Sequence, residues 1–262
     1  MVTLFEHPLS PYAQKVKIAL REKGVDFDLK LPDAFGAGGA VGPFLAASPR
    51  GEVPALIDGE TAIFDSTIIL EYIEDRWPAP PLLPASPADR ARVRMIEEVM
   101  DTHYEAVNWG LGEIGWFKRA DGELAATLVG NAARQTQGFF RWLEGELAGR
   151  AWFNGEAFGW GDLAVAPGVG TSIALGNPPP AGSTLNAWFE RVMQRPAASR
   201  TINEARAFKI ADSNVADLVA RGLFKREYRD HRLEWMIKSG GLEVVLKGLA
   251  ADNIRFAPDF GG

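Results

Sequence analysis

Prolines crowd the segment from residue 78 to residue 87, and this crowding constrains the fold more than any other feature of the chain. Proline has no backbone N–H and a fixed φ angle, so neither a helix interior nor a central strand tolerates such a density. The segment is therefore predicted to be a linker between two domains, and 262 residues are enough for both. The prolines concerned are Pro78, Pro80, Pro81, Pro84 and Pro87.

The residues before the linker alternate between strand and helix patterns. Asp58-Gly59 is a two-residue hairpin signal between the last two of four predicted strands. The order of the elements predicts an α/β domain of thioredoxin-like type over residues 1–78, in which the first two strands are parallel and joined by a right-handed crossover. The predicted strands cover residues 2–6, 25–31, 54–57 and 61–64, and the predicted helices cover residues 11–23 and 66–77.

The residues after the linker have helical spacing almost throughout. We expect an all-α helical bundle domain over residues 88–209 and a helical C-terminal extension over residues 210–262 that packs on the body of the protein. The helices predicted for the bundle cover residues 88–118, 123–147, 162–175, 185–194 and 196–208, and those predicted for the extension cover residues 215–223, 227–238 and 242–249.

Composition excludes several classes of function. The chain has no cysteine, which rules out disulfides, thiolate metal sites and redox chemistry by a protein thiol. The net charge is −6 and there is no basic block, so nucleic acid is not an expected partner. No uncharged apolar run reaches the roughly 18 residues of a membrane helix, and the N-terminus does not read as a signal sequence. The expectation is a cytoplasmic protein, without membrane contact and without a metal site.

The strongest candidate site begins at Ser10-Pro11-Tyr12, between the first strand and the first helix. Serine at the N-cap followed by proline is a common way to begin a helix. The same geometry lets the Ser10 hydroxyl donate a hydrogen bond to a thiolate, whose charge the helix N-terminus favours. Both interpretations stay open on these residues. Tyr12 offers a rival hydroxyl donor, and lining a pocket is the other role open to it.

Two further sites follow at Glu52-Val53-Pro54 and Asp65-Ser66. The first exposes backbone ahead of a proline, although a proline is also an ordinary way to begin a strand. The second opens the next helix, where Asp65 can act as a cap or the helix N-terminus can bind a carboxylate. Together with Ser10, these sites can hold a small thiol peptide.

Four stretches, in order along the chain, resemble the cytosolic glutathione S-transferase family. The first is similar to the active-site helix of its serine-type bacterial members and of the tau-, theta- and beta-like classes. The similarity extends from about residue 3 to residue 208, which leaves a C-terminal extension. The stretches are SPYAQKVKIALREKGVDFD at 10–28, SPRGEVPALIDG at 48–59, DSTIILEYIEDRWP at 65–78 and FGWGDLAVAP at 158–167.

The resemblance implies roles for these residues. Ser10 would stabilise the thiolate of glutathione, which serves as the co-substrate. Val53 would precede a cis peptide bond to Pro54 and pair its backbone with the cysteinyl part of the ligand. Ser66 would bind the γ-glutamyl carboxylate, and Asp65 would face the ammonium group. The complete set of residues expected to bind glutathione is Tyr12, Arg50, Glu52, Val53, Pro54, Asp65 and Ser66.

The sequence departs from the family at two places. Residues 31–49 contain no Lys, Arg or His, although many relatives use a basic side chain there for the glycine carboxylate of the ligand. Lys30 and Arg50 flank this gap and are the candidates to replace it. Gly159 stands where the family has a Ser or Thr cap three residues before Asp162, so the capping box is expected to be incomplete.

A pocket for the second substrate is expected between the two domains. Its residues come mainly from the helix after the linker, and the alternative for each of them is an ordinary place in the core of the bundle. Three glycines in the stretch NWGLGEIGW suggest a close approach or a kink. The candidates are Tyr12, Tyr104, Val107, Trp109, Leu111, Trp116 and Phe208.

The resemblance implies a glutathione transferase-like enzyme in which the glutathione thiolate attacks an apolar electrophile. It also implies a role in detoxification and a homodimer. Ser10 would supply the activated thiolate and no metal would be needed. A glutathione-dependent lyase, etherase or dehalogenase with the same site is the nearest alternative. A non-catalytic thiol-binding or interaction protein on the same fold is the alternative of another class.

Overall fold

Four strands form one mixed sheet in the order β2-β1-β3-β4. A computed structural model describes residues 1–32, 42–208, 215–222, 233 and 240–251 of the chain. Strand β1 is parallel to β2 and antiparallel to β3, and β3 and β4 form a hairpin. This confirms the predicted thioredoxin-like α/β arrangement. The strands are β1 (Val2–Phe5), β2 (Phe27–Lys30), β3 (Ala55–Asp58) and β4 (Thr61–Phe64).

Helices make up most of the rest of the described chain, which confirms the helical second domain. A π-helical turn, Met100–Tyr104, interrupts the single helix that was predicted over residues 88–118. The helices are α1 (Pro11–Glu22), α2 (Pro43–Ala47), α3 (Ser66–Arg76), α4 (Pro87–Val99), α5 (Glu105–Gly115), α6 (Gly122–Leu147), α7 (Trp160–Ala174), α8 (Thr184–Val192), α9 (Pro196–Ala207), α10 (Val215–Ala220) and α11 (Leu242–Ala250).

The hairpin turn lies one residue later than predicted. Asp58 pairs with Thr61, so Asp58 closes the ladder and the two turn residues are Gly59 and Glu60. Gly59 has φ +61°, a left-handed conformation that glycine adopts without steric cost. The Asp-Gly pair therefore marks the hairpin correctly, but only its glycine belongs to the turn.

The proline segment has no helix or strand before Pro87, which begins α4, and a buried lysine holds it in place. The Lys23 ammonium donates hydrogen bonds to the carbonyl oxygens of Trp77 (2.6 Å) and Pro80 (2.8 Å). It also forms a 2.8 Å ion pair with Glu74, whose carboxylate accepts from the backbone N–H of Leu82. The linker is thus fixed by charge-assisted hydrogen bonds that no local pattern in the sequence predicts.

Helix α7 lies at the centre of the molecule and is buried on nearly every side. Asp162, fully buried near its start, accepts hydrogen bonds from the N–H groups of Phe153 and Gly159 and from the Trp188 indole. The acidic half of the expected capping box is therefore present. In place of the missing side-chain cap, the side-chain oxygen of Asn154 accepts from the N–H of Gly161, the second residue of α7, at 3.4 Å.

The C-terminal extension is described only in part. Helix α10 and the residues after α5 line a common cleft of about 290 Å³, so this part of the extension lies against the helical domain. The helix predicted over residues 227–238 falls outside the described residues except at Leu233. The domain limits at 1–78, 88–209 and 210–262 remain predictions. Within the described ranges, no helix is both long and apolar enough to cross a membrane.

Candidate active site

The register of the sheet brings the three predicted sites to one end of it. Phe5, the last residue of β1, pairs with Ala55, the first residue of β3. Ala55 in turn pairs with Phe64, the last residue of β4. The loop to Ser10 leaves this end of the sheet, the Val53–Pro54 bond enters it, and Asp65 follows it directly. Segments far apart in the sequence therefore share one edge of the α/β domain.

Ser10 caps α1 and keeps a hydrogen to donate. Its backbone is extended, with φ −73° and ψ 114°, and its Oγ accepts from the Ala13 N–H at 3.2 Å. Accepting this bond uses a lone pair of Oγ and leaves the O–H free to point elsewhere. The cap and the thiolate donor, which were alternatives in the sequence, are therefore compatible in one geometry. The first turn of α1 has no acidic residue that would oppose an anion.

The Val53–Pro54 peptide bond is cis, as the family resemblance implied. Val53 is 7% exposed and packs in a small apolar cluster with Phe5, Phe44 and Ala55. The preceding residue is fixed as well, since the Glu52 N–H donates to the Ser48 hydroxyl at 3.3 Å. The backbone that leads into β3 is thus held firmly beside the end of β1.

Asp65 is both a helix cap and an ion-pair partner. Its Oδ1 accepts from the backbone N–H of Thr67 at 3.1 Å, at the start of α3. Its Oδ2 accepts from the Arg50 guanidinium at 3.2 Å. Its φ angle of +73° is unusual for a residue with a side chain. Ser66, the first residue of α3, is 6% exposed and places its own N–H at the helix N-terminus.

Arg50 is already compensated by acids on either side. Its guanidinium lies 3.4 Å from the Glu52 carboxylate as well as 3.2 Å from that of Asp65. It also stacks 5.0 Å from the centroid of the Phe64 ring. An anion that approached Arg50 would therefore compete with two carboxylates for the same charge.

Tyr104 is a correction to the predicted substrate pocket. It is completely buried, and its ring packs 5.0 Å from Phe139 in the bundle core. Its hydroxyl donates to Ser172 at 2.6 Å, Ser172 donates to the Asn108 side-chain oxygen, and Asn108 donates to the Gly168 carbonyl oxygen. Burial raises the pKa of Tyr104 far above its usual range. Helical spacing did not distinguish the core face of this helix from its cleft face.

The other pocket candidates divide between core and partly exposed positions. Leu111 is 6% exposed and Val107 packs against the main core, so both follow the core interpretation. Trp109 and Trp116 are half-buried. The ring of Trp116 lies against Gly112, where a Cβ atom would stand 2.9 Å from it. One of the three glycines in this helix is therefore explained by the predicted close approach.

Phe208 reaches the loop that carries Ser10. Its ring lies 4.9 Å from that of His7 in an edge-on contact. The His7 carbonyl oxygen accepts from the Ser10 N–H at 2.9 Å, and the His7 ring nitrogen Nδ1 accepts from the Leu9 N–H at 3.3 Å. Burial, aided by the charge of Lys17, lowers the pKa of His7 to about 4. His7 is therefore neutral at physiological pH.

A buried charge cluster between the domains escaped the sequence analysis. Lys15 of α1 is 1% exposed because it forms ion pairs with Glu97 and Asp101 of the helical domain. Burial opposes the charge of Lys15, but the two carboxylates outweigh it and raise its pKa. Burial also raises the pKa of Asp101 to about 6, against the pull of Lys15. No local pattern predicts this cluster, because Lys15 lies 82 and 86 residues from its two partners in the sequence.

Comparisons with known proteins agree with this geometry. The family pattern "Glutathione S-transferase, N-terminal domain" matches residues 4–81, and "Glutathione S-transferase, C-terminal domain" matches residues 90–196. A stringent starvation protein A homolog of Coxiella burnetii is 36% identical over 96 residues, which span 37% of this chain and 44% of that protein.

Two further similarities extend over more of the chain. Glutathione S-transferase 1 of Dianthus caryophyllus is 31% identical over 172 residues, which span 65% of this chain and 76% of the relative. The crystal structure of a glutathione S-transferase from Rhodospirillum rubrum superposes with a TM-score of 0.67 at 26% identity, and covers 84% of this chain and 100% of that one. Sequence and fold thus place the chain in the glutathione S-transferase family of enzymes.

Proposed function

We propose that this chain is a glutathione transferase-like enzyme in which Ser10 stabilises the glutathione thiolate. The observation that carries the proposal is the convergence of Ser10, Val53 and Ser66 at one end of the sheet. A hydroxyl, a strand-like backbone edge and a helix N-terminus are the three groups that a thiol, a peptide backbone and a carboxylate require. The family relationship adds support from relatives that are named glutathione S-transferases.

The chemistry needs a sulfur anion and a correctly held electrophile. The Ser10 O–H donates to the sulfur, and the N-terminus of α1 favours its negative charge, so the thiol releases its proton to solvent. The thiolate then forms a C–S bond with an electrophilic carbon, and the leaving group departs with the bonding electron pair. Proximity and an already ionised nucleophile supply the rate enhancement.

The remaining groups of the ligand are assigned to the other two sites. The γ-glutamyl carboxylate meets the Ser66 hydroxyl and N–H at the start of α3, and its ammonium group faces the half-exposed Asp65 carboxylate. The cysteinyl backbone pairs with Val53 in the manner of an added strand. Arg50 is the candidate for the glycine carboxylate, and its two acidic neighbours make this end of the site the weakest.

The second substrate is proposed to be a small apolar electrophile that binds between the domains. Tyr12, Trp109, Trp116 and Phe208 are the candidates that stay partly exposed in this region. We also propose a cytoplasmic homodimer with a detoxifying role. Sedimentation should then show one species with about twice the 28.5 kDa mass of the chain, and a single species of that mass itself would contradict the dimer.

The decisive experiment titrates reduced glutathione by calorimetry into the wild type and into Ser10→Ala, while thiolate absorbance is followed. We expect saturable binding in the wild type and loss of the thiolate signal in Ser10→Ala. Helix capping alone does not explain such a loss, because a lost serine cap costs about 1 kcal/mol of stability.

A matched control is available within the chain. Ser86 caps α4 in the same way, with Pro87 next and its Oγ accepting from the Asp89 N–H at 3.1 Å. Ser86→Ala should lose similar stability and keep both glutathione binding and the thiolate signal. Absence of glutathione binding in the wild type would overturn the proposed function, and an unchanged signal in Ser10→Ala would overturn the role of Ser10.

A further inference from the structure

Glu97 is a buried carboxylate that joins three other helices. It lies on α4 and is 2% exposed. Its Oε1 accepts from the Lys15 ammonium of α1 at 2.5 Å and from the Thr67 hydroxyl of α3 at 2.9 Å. Its Oε2 accepts from the Trp160 indole of α7 at 2.5 Å. A single side chain of the helical domain thus contacts two helices of the α/β domain.

The two contacts fall close to the two ends of the proposed glutathione site. Lys15 lies in the second turn of α1, whose N-cap is Ser10. Thr67 is the second residue of α3 and directly follows Ser66. The same oxygen atom of Glu97 therefore touches the helix that carries the thiolate donor and the helix that binds the carboxylate.

These bonds are strong enough to fix the distance between α1 and α3 on either side of Glu97. A buried carboxylate has to be compensated by partners of good geometry, and removal of one partner is costly. Lys15 supplies the positive charge and Thr67 and Trp160 supply neutral donors, so Glu97 has three partners in fixed directions. Solvent does not screen a pair whose side chains are 1% and 2% exposed.

We propose that Glu97 is a positioning residue that sets the separation of the first turns of α1 and α3. One small peptide can then reach Ser10 with its thiol and Ser66 with its γ-glutamyl carboxylate at the same time. The inference rests on the proposed function and adds to it, because it makes a well-formed site dependent on docking of the helical domain. A small displacement of one helix weakens both ends of a ligand that must satisfy the two together.

Three substitutions test this role. Glu97→Gln keeps the shape and removes the charge, Thr67→Val removes only the hydroxyl, and Thr67→Ser keeps the hydroxyl. We expect the Kd for glutathione to rise about tenfold in the first two, as for a buried hydrogen bond left unmade. The pKa of the bound thiol, measured by thiolate absorbance against pH, should also rise in these two variants. Thr67→Ser should behave as the wild type.

The direction of the thiol pKa separates positioning from simple electrostatics. Removal of a negative charge in Glu97→Gln would by itself stabilise a nearby thiolate and lower the thiol pKa. Misplacement of the two helix ends weakens the hydrogen bond to the thiolate and raises the thiol pKa. Thr67→Val changes no charge, so it should raise the thiol pKa as well.

Glu74→Gln is the matched control. Glu74 is also a buried acid paired with a lysine of the α1 region, at 2.8 Å from Lys23, but it holds the linker. This variant should lose stability and keep the wild-type Kd and thiol pKa. Wild-type values of both in Glu97→Gln and Thr67→Val would overturn the inference.

Hydrogen exchange on the protein without ligand tests the positioning role of Glu97 independently of glutathione binding. The amides of Ala13, Gln14, Thr67 and Ile68 should exchange faster in Glu97→Gln than in the wild type or in Glu74→Gln. Unchanged exchange at these amides would overturn the positioning role even in a protein that does not bind glutathione. Failure of the wild type to bind glutathione would instead remove the proposed function.

Discussion

The Tyr12 hydroxyl donates a 2.7 Å hydrogen bond to the backbone carbonyl oxygen of Asp101, 89 residues away in the sequence. Tyr12 lies in the first turn of α1, and Asp101 lies in the π-helical turn after α4. The bond therefore ties the helix that begins at Ser10 to the helical domain. It also uses the hydrogen that Tyr12 would need in order to act as the thiolate donor.

Tyr12→Phe should accordingly weaken the domain contact and spare the thiolate. Loss of one partly buried hydrogen bond is expected to lower the free energy of unfolding by about 1 kcal/mol. Urea unfolding would measure this loss, and absorbance of bound glutathione would show the thiolate unchanged. If Tyr12→Phe abolished the thiolate signal as completely as Ser10→Ala, Tyr12 would be the donor in place of Ser10.

Tyr104→Phe should change stability and leave catalysis alone. The substitution breaks the first link of the buried chain through Ser172 and Asn108, at a cost of about 1 to 2 kcal/mol. Urea unfolding would give this difference. The KM and kcat for an aryl halide electrophile should equal those of the wild type, because Tyr104 has no exposed surface. A large change in KM would instead show that Tyr104 contributes to the substrate pocket.

His7 should make the protein sensitive to acid. Its pKa of about 4 in the folded state lies below the ordinary value of 6.5, so the unfolded chain binds a proton first as the pH falls. Stability is therefore lost on acidification from about 6.5 towards 4. At pH 5 the loss amounts to about 2 kcal/mol relative to pH 7.5.

His7→Asn isolates this effect, since the amide oxygen of asparagine can accept from the Leu9 N–H in place of Nδ1. Urea unfolding at pH 7.5 and pH 5 would give the free energy of unfolding of both proteins. On going to pH 5, the wild type should lose about 2 kcal/mol more of this free energy than His7→Asn does. Asp101, with its raised pKa, titrates in both proteins, so its effect cancels from the comparison. Parallel pH curves would show that His7 protonates freely in the folded protein.

Local periodicity was enough for the strands and for most of the helices, because each of these leaves a pattern within a few residues. The buried charges leave no such pattern. Lys15 and Lys17 lie two residues apart on α1 and so point roughly 200° apart around the helix, and spacing alone does not predict that both are buried. Both are 1% exposed. Lys17 pairs with Glu6, the residue after β1, and also with Glu204 of the helical domain, and Lys15 pairs with Glu97 of the helical domain. Such pairing depends on the docking of two domains, which only the folded structure provides.

The same limit explains the error at Tyr104. A helix of mixed aromatic and apolar residues can turn either of two faces to the core, and the sequence of the helix does not decide between them. The choice is made by Phe139 of α6 and Ser172 of α7, which lie on other helices. The helix cap at Ser10 was predicted correctly for the opposite reason, since the capping serine and Pro11 are neighbours in the chain.

Gly159→Ser introduces one of the two capping residues that the family resemblance implies at this position, and we expect it to destabilise the protein. A Cβ atom at Gly159 would stand 2.2 Å from the Asn154 side-chain nitrogen and 2.3 Å from the Leu82 carbonyl oxygen. Asn154 already donates to that carbonyl oxygen at 2.9 Å and accepts from the Gly161 N–H, so it occupies the space of the missing cap. The new side chain would expel Asn154 at a cost of about 2 kcal/mol or more.

Asn154→Ala supplies the matched test of this exchange. Alone, it should cost about 1 kcal/mol, as for other lost caps. Combined with Gly159→Ser, it should recover part of the stability that Gly159→Ser loses, because the clash with Asn154 is removed while the one with the Leu82 carbonyl oxygen stays. Urea unfolding of the wild type, both single variants and the double variant gives the coupling between the two positions. Strictly additive losses would show that Asn154 and the family serine do not compete for one place at the start of α7.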